Sequence, residues 1–353
     1  MKKKIAFAFS LLASILFLSA CTSQNADSRN LLSEPISDNR VMIGTNVSIR
    51  IYDRDKEQVL EDAFNYIQEL GDKLDVNNNI DSQIDQINAA AGAHPVQVDP
   101  DVFNIVQTAI AYAKKSDGTF DPTIGPITNL WRIGFDDARK PSQAEIDEKL
   151  KLVNFHWLQL NEEDHTIFLE KEGMRLDLGA IAKGAICDLV VHFLKERGVT
   201  TAVVDLGGNV YVMGHSPRGE DDPWNVGIQD PNQARSVVIF TLPGVNQSFV
   251  TSGIYERFLT VDGVTYHHLM DPRTGYPFNN EIAGVSIISD KSIDGDGLST
   301  TVFGLGLEKG MAFIENLDRT DAVFVTRDNK VYVTSGIRDE FQLPENSEFT
   351  MGN

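Results

Sequence analysis

Cysteine is almost absent from the chain. Only Cys21 and Cys187 occur among 353 residues. Two cysteines cannot form the disulfide framework that stabilises small exported domains, so the fold must depend on its hydrophobic core. Cys187 lies in an apolar helical pattern, which predicts a small buried side chain rather than a reactive thiol.

Positive charge is also in short supply. The 31 lysines and arginines face 51 aspartates and glutamates, which gives a formal net charge of −20. A surface of this sign repels nucleic acid and disfavours a nucleic-acid-binding function. An anionic ligand would need a local cation, so a phosphate site in this chain is expected to come with a metal ion. The simpler interpretation of the acidity is solubility.

A long apolar run occurs only at the N-terminus. Residues 1–20 combine a basic start, "MKKK", with an apolar segment that is short for a membrane span, and they end at "LSAC". This pattern resembles a bacterial lipoprotein signal, in which cleavage precedes Cys21 and the Cys21 thiol is lipidated. The alternative is an ordinary secretory signal with an incidental cysteine. Removing residues 1–20 takes away three lysines and no acids, so the mature chain is more acidic still.

The rest of the chain divides into three parts. Residues 21–39 are polar and aperiodic, which predicts a flexible tether from Cys21. Residues 40–340 are predicted to form a single catalytic domain, and residues 341–353 a frayed tail. Anchored through lipid, the protein would sit on the extracytoplasmic face of the cell membrane.

The domain mixes helical and extended patterns without strict alternation. This predicts a mixed α/β (α+β) fold with mixed sheets and flanking helices. Helices are predicted at 57–75, after Asp99, at 143–152 and at 296–317. Strands are predicted at 41–53, 175–178, 201–206, 283–289 and 322–334, and a hairpin turning at Asp262-Gly263. The segments 175–178 and 201–206, with a helix between them, suggest a strand–helix–strand crossover.

Residues 267–277, "HHLMDPRTGYP", concentrate polar groups where prolines and a glycine prevent regular structure. They follow the predicted hairpin, so His268 and Asp271 would lie at a strand end. One interpretation is a His268/Asp271 pair for proton transfer, with Arg273 and Thr274 donating hydrogen bonds to an anion. The other is a structural turn containing an Asp–Arg surface pair.

Residues 294–300, "DGDGLST", place two oxygen ligands on one helical face. Asp296 and Thr300 are four residues apart, which is about one helical turn. A carboxylate with a hydroxyl is a sparse set of hard oxygens, and it suits Mg²⁺ completed by water and phosphate. Helix capping by Asp294 or Asp296 is the alternative.

The segment "LDLGAIAKG" (176–184) predicts a strand–glycine–helix junction near a ligand. Lys183, in the first helical turn, could neutralise phosphate, although the spacing is not that of a P-loop. Gly179 and Gly184 could instead serve only close packing.

The segment "GTFDPTIGP" (118–126) predicts a rigid loop that presents the ring of Phe120 to a flavin or an adenine. The alternative is a buried Phe120 in an ordinary loop.

In chain order, these segments resemble the motif series of the ApbE family. The series here is "MIGT", "GTFDPTIGP", "LDLGAIAKGAICD", "DLGGN", "VTSGIYERF", "HHLMDPRTGYP" and "DGLSTTVFGLG", and it covers about residues 40–335. Members of this family are bacterial FAD:protein FMN transferases, often exported lipoproteins. The resemblance therefore implies one ApbE-like catalytic domain.

The resemblance implies a magnesium-dependent phosphoryl transfer with FAD as substrate. FAD would be cleaved at its pyrophosphate, its FMN half esterified to a threonine of a target protein, and AMP released. The expected acceptor is an exported or membrane electron-transfer protein. One alternative, a metal-dependent FAD hydrolase that gives FMN and AMP, would use the same site. Another is a non-catalytic flavin-binding lipoprotein.

The resemblance also implies roles for particular residues. Mg²⁺ would be held by Asp296, Thr300 and the backbone carbonyl of Ala180. His268 or Asp271 would be the base for the incoming threonine. The residues expected to bind FAD are Met42, Asn78, Thr119, Phe120, Asp121, Asp177, Lys183 and His268, with Arg273 and Thr274 beside them. Ala185 and Asn78 depart from the family pattern, because many members have an aromatic residue at these positions.

Overall fold

A computed structural model describes residues 30–75, 81–233 and 237–353 of the chain. The helices are α1 (Glu57–Leu74), α2 (Gln83–Ala89), α3 (Pro100–Lys115), α4 (Gly125–Trp131), α5 (Gln143–Leu150), α6 (Ala182–Glu196), α7 (Ser292–Leu305) and α8 (Leu307–Glu315). Short 3-10 helices cover Phe155–Trp157 and Ser335–Glu340.

The first eight strands are β1 (Ile36–Met42), β2 (Thr45–Ile51), β3 (Val96–Gln97), β4 (Leu158–Asn161), β5 (Thr166–Leu169), β6 (Ala202–Leu206), β7 (Asn209–Met213) and β8 (Trp224–Gln229). The others are β9 (Val238–Gly244), β10 (Gln247–Gly253), β11 (Phe258–Val261), β12 (Val264–His267), β13 (Ile282–Ser289), β14 (Asp321–Thr326), β15 (Lys330–Val333) and β16 (Thr350–Met351).

A nine-stranded sheet forms the centre of the domain. Its order is β1-β2-β6-β7-β10-β13-β14-β15-β16, and the neighbours are antiparallel except β15 and β16, which are parallel. Strand β13 is buried along its whole length, because it lies mid-sheet with side chains packed on both faces. Smaller sheets order as β3-β5-β4, β8-β9 and β11-β12. The mixed α/β prediction is confirmed.

The two faces of the large sheet bury separate cores. Helices α1, α3, α6 and α7 contribute to the larger core, which includes Phe64, Val106, Val190 and Phe303. The β8–β9 hairpin and the chain end cover the opposite face, around Phe249 and Val325. The larger core fixes α6 and α7 side by side on the sheet, and both helices carry residues singled out by the sequence.

Most predicted elements are confirmed. The predicted helices at 57–75, after Asp99 and at 143–152 correspond to α1, α3 and α5, and Ser142 with Glu145 forms a capping box at α5. The hairpin turns at Asp262-Gly263 between β11 and β12. The helical segment predicted at 296–317 is two helices, because Gly306, with φ 80°, separates α7 from α8.

The predicted strand at 175–178 and its crossover are wrong. Arg175 makes an isolated bridge with Ile124, and the segment is otherwise irregular. Asp177 N–H donates to the Pro122 carbonyl, so the segment is held by a neighbouring loop rather than by a sheet. Strand β6 pairs antiparallel with β2 and β7, so no parallel crossover exists at this point.

Both predicted domain boundaries need correction. Residues 36–39, assigned to the tether, belong to β1, which pairs with β2 from Ile36 onward. The tail predicted as frayed returns to the sheet, where Thr350 and Met351 pair with β15 and Phe349 is 6% exposed. Backbone pairing with β2 holds residues 36–39 in the sheet. Pairing with β15 and the buried ring of Phe349 do the same for the C-terminal segment. The predicted signal peptide (1–20) and Cys21 lie outside the described residues.

Cys187 is fully buried in α6, as its apolar surroundings predict. Within the described residues, none of the helices combines the length and apolar character that a membrane crossing requires.

Candidate active site

The start of α7 is held by a carboxylate from α6. Asp188 accepts hydrogen bonds from the Ser292 N–H (2.7 Å) and the Ile293 N–H (2.9 Å). Gly184, one turn earlier in α6, allows the helices to touch, because a Cβ there would lie 2.3 Å from the Ser292 carbonyl oxygen. The two helices are therefore locked together at this point, and the close-packing role considered for Gly184 is confirmed.

Lys183 and Asp296 meet across this helix pair. The side chain of Asp296 lies in α7 and is almost fully buried, and its Oδ2 accepts a hydrogen bond from the Gly184 N–H (2.7 Å). The Nζ of Lys183 lies 3.3 Å from Asp296 Oδ1, and its side chain is 30% exposed. The pair thus combines a buried carboxylate with a partly exposed ammonium that faces it.

The other predicted metal ligands lie on the elements that carry this pair. Thr300 follows Asp296 by one turn of α7 and is partly exposed, as the four-residue spacing predicts. Ala180 lies in the turn that precedes α6 and is also partly exposed. No group of three or more His, Cys, Asp or Glu side chains suited to a metal occurs within residues 30–75, 81–233 and 237–353.

A chain of hydroxyls supports the Asp296 turn from the sheet side. The Oγ atoms of Ser252 (β10) and Ser299 (α7) lie 2.8 Å apart, and Ser299 Oγ donates to the Asp296 carbonyl at 2.9 Å. Since the Ser299 proton points to that carbonyl, Ser252 is the donor between the two hydroxyls. Strand β10 therefore helps to orient the helical turn that presents Asp296.

The two adjacent histidines have different surroundings. His267 is buried; its Nε2 donates to the Phe278 carbonyl (2.8 Å), and its Nδ1 accepts from the Leu269 N–H (3.2 Å). His268 is partly exposed, and its Nδ1 lies 3.3 Å from the Arg257 carbonyl. A carbonyl can only accept, so Nδ1 of His268 carries the proton and Nε2 carries the lone pair.

Burial lowers the pKa of both imidazoles to about 4. For His268, the positive charges of Arg257 and Lys183 act in the same direction as burial. At neutral pH, His268 is therefore uncharged and able to accept a proton.

The structural interpretation accounts for Asp271, Arg273 and Thr274. Asp271 Oδ1 accepts from the Arg273 backbone N–H (3.0 Å) and from Arg273 Nε (2.9 Å), and this pair holds the pKa of Arg273 above its ordinary value. Thr274 is exposed, and its Oγ1 accepts from the Tyr276 N–H at 3.3 Å. These groups close their own turn, which leaves His268 as the better candidate for proton transfer.

The loop "GTFDPTIGP" buries its aromatic ring in the core and does not present it at the surface. Phe120 is 3% exposed and packs edge-on against Tyr112, so the interpretation that its ring faces a ligand is wrong for this structure. Thr119 is equally buried. Asp121 accepts from the Thr123 N–H and Oγ1 and from the Phe155 N–H, and burial raises its pKa.

The remaining predicted flavin contacts are dispersed. Asp177 accepts from Thr128 Oγ1 (2.6 Å) and from the Gly179 N–H (2.8 Å), so it shapes the turn leading to α6. Met42 ends β1 and packs at the edge of the larger core. Asn78 lies outside the described residues.

Sequence reasoning missed Asp188, Ser252 and Arg257. Asp188 follows Gly184 by four residues, so helical spacing could have placed it on the face that meets α7. The roles of Ser252 and Arg257 depend on long-range contacts that no local pattern indicates.

Asp188 provides a pH-dependent test of how α7 is held. Burial raises its pKa to about 6, so between about pH 4 and 6 the folded state binds more protons than the unfolded state. Stability from this group is therefore complete at low pH and is lost as the pH rises through about 6. This loss amounts to about 3 kcal/mol of unfolding free energy between about pH 4 and 6. In Asp188→Asn, whose side chain does not titrate, we expect no such loss.

Urea unfolding of both proteins at several pH values measures this difference. An equal pH dependence of unfolding free energy in the native chain and the variant would contradict the proposed ionisation of Asp188.

Comparison with known proteins points to one family. A family model described as the ApbE family matches residues 43–324. A FAD:protein FMN transferase from Klebsiella pneumoniae (strain 342) is 40% identical over 312 residues, which cover 87% of this chain and 96% of the relative. One from Treponema pallidum (strain Nichols) is 36% identical over 318 residues, covering 86% and 88% respectively.

Solved structures agree with this relationship. The crystal structure of the ApbE protein from Thermotoga maritima superposes with a TM-score of 0.80 at 26% identity, covering 88% of this chain and all of that chain. The flavin transferase ApbE from Vibrio cholerae gives a TM-score of 0.77 at 26% identity, covering 87% and 99%. With its motifs, its fold and these relatives in agreement, the chain belongs to the ApbE family.

Proposed function

We infer that the chain is a FAD:protein FMN transferase that acts on a threonine hydroxyl and depends on Mg²⁺. The observation that carries this inference is the Lys183–Asp296 pair where α6 meets α7, together with a neutral His268 whose pKa the charge of Lys183 helps to lower. A carboxylate, an ammonium and a neutral imidazole are the groups that phosphoryl transfer needs for neutralising charge and moving a proton. Relatives with 36–40% identity bear the same activity in their names.

The reaction balances without a redox partner. The threonine oxygen forms a bond to the FMN phosphorus, the bond from that phosphorus to the bridging diphosphate oxygen breaks, and AMP leaves with the bridging oxygen. The threonine proton goes to His268 Nε2, which carries the lone pair because Nδ1 donates to the Arg257 carbonyl. No electrons are transferred, so the flavin serves only as the group carried.

The residues present fit a magnesium ion. Asp296 supplies one buried carboxylate, Thr300 a hydroxyl on the same helical face, and Ala180 a carbonyl in the adjacent turn. Mg²⁺ commonly takes one or two carboxylates and completes its coordination with water and substrate phosphate, which suits so sparse a set. When bound, the ion would neutralise the diphosphate and polarise its phosphorus.

The protein's own groups would then position the substrate. Lys183 is already attracted to this point by Asp296, and it would turn its ammonium toward diphosphate oxygens. The hydrogen bond from Gly184 N–H holds the Asp296 carboxylate in place, and the Ser252–Ser299 pair holds its backbone. Because these contacts exist without substrate, little reorganisation would be needed during reaction.

The N-terminal pattern supports a location for this activity. Residues 1–20 with Cys21 fit a lipoprotein signal, so the domain would be anchored by lipid on the extracytoplasmic face of the membrane. The acceptor would then be an exported or membrane electron-transfer protein on the same side.

Incubation with FAD, Mg²⁺ and a candidate exported acceptor protein tests the function. The expected result is release of AMP together with an acceptor whose mass has increased by FMN minus water, and loss of both in EDTA. AMP release without any change of acceptor mass would indicate that water is the nucleophile. Undiminished transfer in EDTA would remove the metal from the proposal.

Lys183→Met is expected to weaken FAD binding by about ten- to a hundredfold. The reason is that a charge-assisted hydrogen bond contributes about 1.5–3 kcal/mol. The rate at saturating FAD should fall less, because Lys183 contacts substrate oxygens before and during reaction alike. Quenching of flavin fluorescence gives the dissociation constant, and AMP release gives the rate.

Lys195→Met is the matched control, because Lys195 lies on the same helix about 18 Å further along. Equal FAD affinities for the two variants would exclude Lys183 from the substrate site.

A further inference from the structure

A groove lies beside the candidate active site and is not used by the groups described so far. Its cavity measures about 330 Å³. Asp271 and Arg273 line one side, Phe278 and Asn279 the adjoining wall, and Gly304 to Lys309 the opposite side. The groove thus runs from the loop that follows His268 to the junction of α7 and α8.

Hydrogen bonds within the fold fix the walls of this groove. Gly306 separates the two helices, and the Leu307 N–H that begins α8 donates to Glu281 Oε1 at 2.9 Å. Asn280 Nδ2 donates to the Phe303 carbonyl at 2.6 Å, which joins the wall to the end of α7. The walls of the groove are therefore held in place by the fold and do not depend on loosely packed loops.

The groove adjoins the reactive end of the site. Gly304 lies on the face of α7 that carries Asp296 and Thr300, about 12 Å along the helix from Asp296. A Cβ at Gly304 would lie 2.5 Å from Phe278 and from Thr119, so these two side chains pack directly against this part of α7. Asp271, which lines the groove, follows His268 by three residues, so a molecule in the groove would lie along the loop that carries the proposed base.

We propose that this groove binds an extended segment of the acceptor protein adjacent to the threonine that receives FMN. The proposal rests on the transferase function and specifies how its second substrate is recognised. A cavity near the lower end of the usual range, about 300–1,000 Å³, suits a short peptide better than a dinucleotide.

The chemistry of the lining also suits a polypeptide. Arg273, Glu308 and Lys309 are exposed and present both signs of charge, which can select side chains. The Gly304 and Leu305 carbonyls, in the last turn of α7, can accept from peptide N–H groups, because that turn leaves them without intrahelical donors. Phe278 provides an apolar floor.

Asn279→Trp tests the proposal by filling the groove from an exposed position. The probe is an equimolar pool of short synthetic peptides, each with one threonine between randomised flanks. With FAD and Mg²⁺, the native chain is expected to label a subset of the pool with FMN, and the variant at least about tenfold less. The FAD dissociation constant should change by less than about twofold. Asn65→Trp, on the exposed face of α1, is the matched control and should label as the native chain does.

Lys309→Glu tests selection rather than access. It is expected to keep the labelling yield but to shift the labelled peptides toward basic flanks, as identified by mass spectrometry. Unchanged yield and unchanged peptide selection in both groove variants would overturn the proposal. A large loss of FAD affinity in Asn279→Trp would also overturn it, because the groove would then belong to the flavin site.

The native chain separates this failure from failure of the transferase. Labelled peptides from the native chain establish transfer whatever the groove variants do. AMP release with no labelled peptide overturns recognition of a linear segment, and the absence of both products counts against the transferase itself.

Discussion

Replacing Asp296 with alanine is expected to lower the rate of FMN transfer about a thousandfold or more. Asp296 is the one carboxylate among the proposed metal ligands, so without it Mg²⁺ would be left with a hydroxyl and a carbonyl. Lewis-acid stabilisation of a phosphoryl transition state is worth several kcal/mol, and each 1.36 kcal/mol is tenfold in rate. AMP release and the mass of the acceptor measure the loss, and calorimetric titration with Mg²⁺ and FAD measures metal binding.

A second variant separates this chemistry from stability. Asp296→Ala leaves the Gly184 N–H without its acceptor, which costs about 1–3 kcal/mol, so some loss of stability is expected. Asp296→Asn keeps an oxygen for that N–H but removes the charge. We expect it to be as inactive as the alanine variant while melting closer to the native chain.

Asp294→Asn is the matched control on the same helix. Asp294 accepts from the Tyr112 hydroxyl at 2.6 Å and is not among the proposed metal ligands, so replacing it should leave the rate nearly unchanged. Magnesium-dependent transfer that persists in Asp296→Asn would refute the metal assignment, whatever happens to stability.

Helical periodicity explains why this part of the site could be predicted. Asp296 and Thr300 are four residues apart in a segment that is helical, so their shared face follows from the sequence alone. The position of Lys183 in the first turn of α6 follows from the sequence for the same reason. What the sequence could not provide is the meeting of Lys183 with Asp296, because 113 residues separate them.

The wrong predictions have a common physical cause. The segment 175–178 has the apolar alternation of a strand, but a neighbouring loop takes up its Asp177 N–H, so tertiary context overrides local preference. The polar residues that flank Phe120 favour an exposed ring, yet the ring packs against Tyr112. Residues 36–39 and 350–351 are ordered by backbone pairing, which leaves no trace in amino-acid composition.

The geometry decides in part between the two interpretations of the "HHLMDPRTGYP" segment. The structural interpretation and the functional one each account for different residues: Asp271, Arg273 and Thr274 close the turn, while His268 donates to the Arg257 carbonyl and keeps a free lone pair on Nε2. The spacing of residues in the sequence could not separate these roles. They depend on the carbonyl to which each imidazole donates, which is Phe278 for His267 and Arg257 for His268.

His268→Leu is expected to lower the rate of transfer by about 10²- to 10⁴-fold, the usual contribution of a positioned general base. Its pKa of about 4 means that it is neutral, and able to accept a proton, at all pH values above about 5. In the native chain, kcat/KM should therefore fall only as the pH drops toward 4, where the imidazole becomes protonated. The variant should lack that acid limb, and a pH profile of AMP release measures both effects. FAD affinity should change less than the rate, since the base acts on the acceptor.

His267→Leu makes the same substitution one residue earlier and should give the opposite result. It removes the partners of the Phe278 carbonyl and the Leu269 N–H inside the core, so a loss of about 2 kcal/mol or more in unfolding free energy is expected. Its remaining folded fraction should transfer FMN at nearly the native rate, because Nε2 of His267 donates inward and holds no lone pair for a substrate. His268→Leu, by contrast, should melt near the native temperature, since its ring makes one long hydrogen bond at a partly exposed position. If His268→Leu transferred FMN at the native rate, the base would have to be sought at Asp271, whose carboxylate would first have to leave Arg273.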